Sequence, residues 1–405
     1  MLVIRSWKYR LYPSKNQEKM LNRHLDECKS LWNSLLEYTK KHYKKTGQFP
    51  SRKELYLLTK ETTIFSQVAQ NVADRLVKSL KGMIARKKAG KRTGFPRFKS
   101  VDRMKSFTYP QFGFELTDRL ELSDVGSIAI KKHREMKGKI KTLTIKRSPS
   151  EKWFAVFATE TDAEAPARRE GLKVGIDLGI EHFGYLSDGK IIENPRHLKR
   201  AEEKLKEAQR QLSGKLKGSK NRRKARLRVA IAHEKLANKR RDFLHKISRQ
   251  LIDSYSLIAM EDLNVNGMAH GFLAKHVLDC SWAEFTSMLR YKAEEAGCDV
   301  VLVDPACTSQ ECSSCGQIRK KTLAERWHDC PCGASMHRDL NAAINVLNRA
   351  IANLRNQVRQ SESANDSDTP GTGECQAFGE GTSTHYKYNG HVSSMKQEAH
   401  GFSRG

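Results

Sequence analysis

The sequence predicts an α+β chain of several domains. A barrel-like amino-terminal β domain carries an inserted helical bundle, and an α/β unit with a cysteine-rich insert follows. Three observations carry this reading. Residues 95–160 are short runs of β-branched and aromatic residues broken by Gly and Pro, the texture of antiparallel strands. Residues 15–88, ahead of them, place apolar side chains at helical spacing. Beyond residue 171, apolar strands recur between long basic helical stretches.

Taken in order, LVIRSWKYRLY at 2–12 alternates Val3, Trp7, Tyr9 and Leu11 with Arg5, Lys8 and Arg10, which reads as a strand ended by Pro13. Ser14, three residues before Gln17, is a capping-box start. Leu21, Leu25, Cys28, Trp32 and Leu35 then mark a helix over 15–45, and Val68, Val72, Leu76, Leu80 and Met83 a second over 66–88. FPRFKS, SFTYPQFGFEL, LELSDVGSIAI, IKTLTIKRS and KWFAVFATE read as strands that the first strand joins. Residues 161–170 read as a linker. LKVGIDLG opens a new unit, and a hairpin turning at Asp188-Gly189 follows it. A basic helical hairpin is expected over 196–250, strands at 254–263 and 298–305, and helices near 280–296 and 337–354. Few apolar groups lie beyond residue 357, so disorder is expected there.

The chain has 405 residues, with 74 Lys and Arg against 46 Asp and Glu, so its net charge is 74 − 46 = +28. Such an excess, recurring in every segment, calls for a polyanion, and nucleic acid fits because neutralised phosphates release counterions. No run approaches the ~18 apolar residues of a membrane span, and MLVIRSWKYR lacks a secretory apolar core. A membrane or exported protein is therefore disfavoured. Nine cysteines, an odd number, argue for reduced thiols and a metal site.

Three acids stand at element ends. Asp177 closes LKVGID and shares a strand face with Gly175, while Glu261 closes SLIAME and shares a face with Leu257 and Ala259. Asp262 faces the other way. Asp339 lies in the opening turn of the last helix, before the small residues Ala342 and Ala343 that permit close packing on a sheet. Buried carboxylates cost desolvation unless positive charge meets them. Three converging at a sheet edge could hold two Mg²⁺ ions for phosphodiester hydrolysis. Taken singly, each also reads as a helix cap or a solvated strand end.

Cys312-Ser-Ser-Cys315-Gly and Cys330-Pro-Cys332-Gly, with fourteen residues between Cys315 and Cys330, supply four thiolates in two knuckles, a set suited to one structural Zn²⁺. The second knuckle is one residue tighter than Cys-x-x-Cys, so Cys307 and His328 stand as alternative ligands.

VGIDLG at 174–179, AMEDL at 259–263, TSQECSSCG at 308–316, CPCG at 330–333 and HRDLNAAINVL at 337–347 resemble the TnpB family. KYRLYPSKNQ and FPRFKS…SFTYP resemble it too. TnpB proteins are transposon-encoded RNA-guided DNA endonucleases related to type V CRISPR effectors. The resemblance implies a wedge-like β-barrel domain at 1–14 and 93–165 and a helical recognition insert at 15–92. It further implies an RNase H-like (RuvC) nuclease domain at 170–306 and 336–356, a zinc-binding insert (zinc ribbon) at 307–335, and a tail at 357–405. The family's catalytic acids fall on Asp177, Glu261 and Asp339, and its zinc ligands on Cys312, Cys315, Cys330 and Cys332. His337 stands where many members have Asp. The implied partners are a guide RNA encoded by the transposon and double-stranded target DNA, in a prokaryotic cytoplasm and with one protein per RNA. Gln67, Gln70 and Asn71 are candidates for reading a short flanking DNA motif. Arg86, Lys87, Lys88, Lys91, Arg92, Arg222, Arg223, Arg226, Arg240 and Arg241 are candidates for lining the heteroduplex channel. Two alternatives stand beside it: a transposase that joins strands without RNA, and an RNA-guided binder that represses without cutting, against which the intact acidic trio argues.

Overall fold

The computed structural model describes residues 2–365 apart from 163, 165, 269, 271–273 and 323–324. Its first unit is built on β1 (Leu2–Tyr12), which pairs antiparallel with β7 (Trp153–Asp162) along its length and with β5 (Gly126–Lys131) at its end. Adding β2 (Ser106–Tyr109), β3 (Phe114–Leu116), β4 (Leu120–Leu122) and β6 (Lys139–Arg147) gives one seven-stranded sheet ordered β2-β6-β7-β1-β5-β4-β3. Its two edge strands are consecutive in the chain, joined only by residues 110–113. Seven flat strands would set those edges ~29 Å apart, farther than five residue steps of ~3.5 Å can reach. The sheet therefore curls towards itself, and the Tyr109 and Phe114 rings of the two edges stand 6.2 Å apart. The barrel-like expectation becomes a partly closed sheet that keeps two edges.

Helices α1 (Lys15–Thr46), α2 (Arg52–Leu57) and α3 (Ser66–Lys88) sit between β1 and β2. Ser14 and Gln17 make the expected capping box, and Gly47, at φ 71°, ends α1 in the left-handed conformation that glycine adopts without strain. Leu21, Cys28, Trp32 and Leu35 of α1 and Val68, Val72 and Leu76 of α3 bury against Phe107, Ile145, Trp153 and Phe157 of the sheet. Each such side chain contributes ~1.5–3 kcal/mol of burial.

Several expected elements differ. FPRFKS forms no strand. Its backbone is taken by α1 instead: Asn33 accepts from Lys99 N (2.8 Å) and donates to Lys99 O (2.9 Å), and Trp32 Nε1 donates to Arg97 O (3.3 Å). SFTYPQFGFEL and LELSDVGSIAI each break in two at Pro- or Gly-containing turns. The last helix, α9 (Arg338–Asn365), runs past its expected end at 354 and into the expected tail from 357; the rest of that tail lies outside the described residues.

The second unit has five strands: β8 (Lys173–Leu178), β9 (His182–Leu186), β10 (Ile191–Glu193), β11 (Leu257–Glu261) and β12 (Asp299–Val303), ordered β10-β9-β8-β11-β12. β8, β11 and β12 run parallel; β9 and β10 are antiparallel. A helical hairpin, α4 (His197–Ser213) and α5 (Lys220–Ser254), separates β10 from β11. Helices α6 (Val265–Met268) and α7 (Ala274–Cys280) follow β11 in the stretch between the expected strand and the next expected helix, and α8 (Trp282–Ala296) is the helix expected near 280–296. Strand alternation divides the sheet. Val174, Ile176, Ile258 and Met260 face a core with Leu244, Leu251, Phe285 and Leu289 of α5 and α8. Ala259 and Val303 face Val346 and Ala350 of α9. Gly175 lies on that second side, where an added Cβ would strike the Ala343 carbonyl and stand 2.8 Å from Leu347 N. Only glycine lets α9 sit this close.

Candidate active site and cysteine centre

The α9 side of the sheet collects the acids. Asp177 follows Gly175 on the same face of β8, and Glu261 follows Ala259 on β11. The register pairs Met260 with Ile176, and one more step sets Glu261 beside Asp177. Asp339 lies one helical turn before Ala343, the residue that α9 presses on Gly175. A carboxylate in a helix's first turn is favoured by the helix dipole. Arg338 Nε donates to Asp339 Oδ1 at 3.2 Å, and the Asp339 amide donates to His337 Nδ1 at 3.3 Å.

Burial pushes the Asp177 carboxyl up to about 8, the negative charges of Glu261 and Asp339 add to the rise, and Arg338 opposes it. Burial also raises Glu261, while the Thr308 hydroxyl and the Arg349 guanidinium pull it down. The corner is thus short of positive charge and offers hard oxygen donors, the set that Mg²⁺ prefers.

The four cysteines behave differently. Among the described residues, Cys312, Cys315, Cys330 and Cys332 are the metal-binding type of group whose ligand atoms all lie within 4.8 Å of one another. Cys312 and Cys332 sulfurs are 3.7 Å apart, and Cys315 and Cys330 sulfurs 3.6 Å. A tetrahedron of sulfurs ~2.3 Å from zinc has edges of about 3.8 Å, so the donor set fits. Gly316 at φ 77° and Gly333 at φ 91° make the two knuckle turns. The second knuckle sits at the tip of the hairpin of β13 (Trp327–Asp329) and β14 (Ser335–His337). Neither Cys307 nor His328 joins the group: Cys307 is exposed, and the buried His328 has Nδ1 against Lys321 Nζ.

Sequence reasoning missed a polar stripe on α9. Asn341 donates to Glu311 O (2.7 Å) and accepts from Ser313 N (2.9 Å). Asn345 donates to Thr308 O (2.9 Å) and Glu311 O (2.7 Å), and Arg349 reaches Asp304 O and Glu311 Oε2. These residues recur every four positions, a signal masked by the helix's apolar periodicity.

The nucleic-acid candidates divide. Arg86, Lys87, Lys88, Lys91 and Arg92 are exposed at and beyond the end of α3. Gln70 is exposed, Asn71 is half-buried, and Gln67 accepts from the Phe112 amide at 3.0 Å, so it braces the β2–β3 turn. On α5 the arginines have internal partners. Arg222 closes the α4–α5 turn on Leu212 O and Lys215 O, and Arg223 pairs with Glu151. Arg226 pairs with Asp102, Arg240 with Asp279 and Arg241 with Glu284. The pairs at Arg223 and Arg226 join the two units, as do Lys152–Glu234 and Arg5–Glu295. No helix of the described residues is long and apolar enough to cross a membrane.

Known proteins share this chain's sequence and shape. A family described as "Probable transposase" matches residues 156–270, a "Cas12f1-like, TNB domain" matches 282–346, and a "Helix-turn-helix domain" matches 1–48, here β1 and one helix. A protein of Streptomyces pristinaespiralis named "Putative RNA-guided DNA endonuclease" is 34% identical over 364 residues, 86% of this chain and 90% of its own. InsQ of Escherichia coli K12, of the same description, is 30% identical over 373 residues, 86% of this chain and 92% of its own. The protein in a cryo-EM structure of a Cas12f1–sgRNA–target DNA complex shares the fold at a TM-score of 0.55 and 13% identity, covering 85% of this chain and 98% of that one.

Proposed function

Because the chain belongs to the TnpB family of RNA-guided DNA endonucleases, we propose that it cuts double-stranded DNA at the acid corner, directed by a guide RNA encoded by its own transposable element. The five-stranded unit is then an RNase H-like, RuvC-type nuclease domain, and residues 307–335 its zinc-binding insert. The curled sheet and α1–α3 form the wedge and recognition parts. The observation that carries the reading is the convergence of acids from β8, β11 and α9, strong enough that Glu261 and Asp339 help lift Asp177 to about 8.

Asp177, Glu261 and Asp339 hold the ions. Bound Mg²⁺ supplies an activated water and stabilises the leaving oxygen. Arg338 orients Asp339 through its 3.2 Å hydrogen bond. The exposed basic run at 86–92 and the excess charge of +28 meet the nucleic-acid backbone, so binding weakens as salt rises. The cysteines, if they bind Zn²⁺, form a closed site without an open position, and their role is structural.

The test is purification with copurifying RNA, followed by cleavage of a matching duplex beside its flanking motif in Mg²⁺. Wild type is expected to cut at the guide-matched position. Asp177→Ala should bind the same DNA and lose nearly all cutting, because one missing carboxylate disturbs both ion positions. Equal cleavage by the two rejects the reading, and strand-joined products without RNA would assign a transposase instead.

A further inference from the structure

Thr308 lies four residues before Cys312, in the segment that leads from β12 into the cysteine insert. It is 4% exposed. Its hydroxyl stands 2.5 Å from Glu261 Oε1 and 3.1 Å from Pro305 O. A hydroxyl has one proton to give, and the shorter, charge-assisted bond to the carboxylate takes it. The Thr308 backbone is held as firmly as its side chain, because its carbonyl accepts from Asn345 Nδ2 at 2.9 Å. Asn345 is itself 4% exposed, and it belongs to the helix that carries Asp339. One short path thus links both ends of the acid corner: Glu261 to Thr308, Thr308 to Asn345, and Asn345 along α9 to Asp339.

We infer that Thr308 is a positioning residue for Glu261, aiming its carboxylate at the ion site and making that aim depend on how the cysteine insert is seated on α9. The inference rests on the nuclease reading above. Glu261 stands at the end of β11, and its side chain turns about three bonds whose setting its partners must fix. Arg349 acts on it only through space, its own hydrogen bonds going to Glu311 and to the carbonyls of Asp304 and Ala306. Among the described residues, the Thr308 hydroxyl is the hydrogen-bond donor that the Glu261 carboxylate has. A partner that orients a metal-binding carboxylate typically changes metal affinity 10–100-fold when removed.

The experiment uses the full chain with its RNA and no DNA, and reads Mn²⁺ binding by the loss of the free-ion EPR signal. Thr308→Val keeps the shape and removes the proton; Thr308→Ser keeps the proton. Thr308→Val is expected to weaken Mn²⁺ binding about tenfold or more, with unchanged thermal melting and cysteine-bound zinc. The Mg²⁺ concentration for half-maximal cleavage should rise in step. Thr308→Ser should restore both values to near wild type. Wild-type Mn²⁺ affinity and Mg²⁺ dependence in Thr308→Val overturn the inference, as does equal weakening in Thr308→Ser, which would assign the effect to packing. Asp177→Ala, run alongside, separates the two readings: if it too binds Mn²⁺ normally and cleaves, the nuclease reading fails first.

Discussion

The acid corner and the cysteine centre are joined through the short segment from Thr308, which bonds Glu261, to Cys312, yet they are built in opposite ways. The four cysteines come from 21 consecutive residues, 312–332, and two local turns bring all their sulfurs within 4.8 Å. The three acids come from positions 177, 261 and 339, and meet only when two parallel strands and a helix have packed. Soft thiolates round one tetrahedral ion can be arranged by knuckle turns that need no wider fold. Hard carboxylates drawn from two strands and a helix need the whole sheet as their frame. On the proposed reading the first arrangement is a structural part and the second the working one, where burial, and then the charges of Glu261 and Asp339, raise the Asp177 carboxyl.

Metal extraction should exaggerate this contrast most. Strong chelation is expected to unfold the insert and leave the sheet in place. With zinc bound, exposed Cys307 should be the cysteine among the described residues that alkylates readily. After extraction, Cys312, Cys315, Cys330 and Cys332 should join it. Cys28, buried and pushed up to about 12 by that burial, should stay unreactive in both states. Mass spectrometry of the labelled chain counts the sites. Four reactive knuckle thiols in carefully purified, metal-replete protein would contradict the closed centre.

A smaller effect tests the frame. Gly175→Ala puts a Cβ against the Ala343 carbonyl and Leu347, so α9 must move away from β8. Overpacking of this kind costs about 1–3 kcal/mol, seen as a lower melting temperature. Because Asp339 moves with α9, cleavage should fall more than stability suggests, while the zinc content stays unchanged. Unaltered melting and cutting would show that the acids do not depend on this contact.

The same contrast explains what could be read from the sequence. The knuckles were legible because spacing alone carries them. Asp177 and Glu261 were legible because strand alternation puts each on the face of Gly175 or Ala259, and Ala342 and Ala343 announce a tightly packed helix. The course of FPRFKS was not legible. Its backbone at Arg97 and Lys99 meets Trp32 and Asn33 of α1 instead of a neighbouring strand, and tertiary contacts override propensity. The partners of the α5 arginines escaped for a like reason, since Asp102, Glu151, Asp279 and Glu284 are distant in the chain. The roles of Asn341, Asn345 and Thr308 were masked, the first two by the apolar periodicity of their helix, because a buried polar residue looks like any other until its partner is known.

The most direct test of the central claim is anomalous scattering from Mn²⁺ in crystals of the protein with its guide RNA and target DNA. Two manganese peaks ~3.5–4 Å apart, flanked by Asp177, Glu261 and Asp339, are the expected result. Manganese bound elsewhere, with those three carboxylates unliganded beside the DNA, would contradict it.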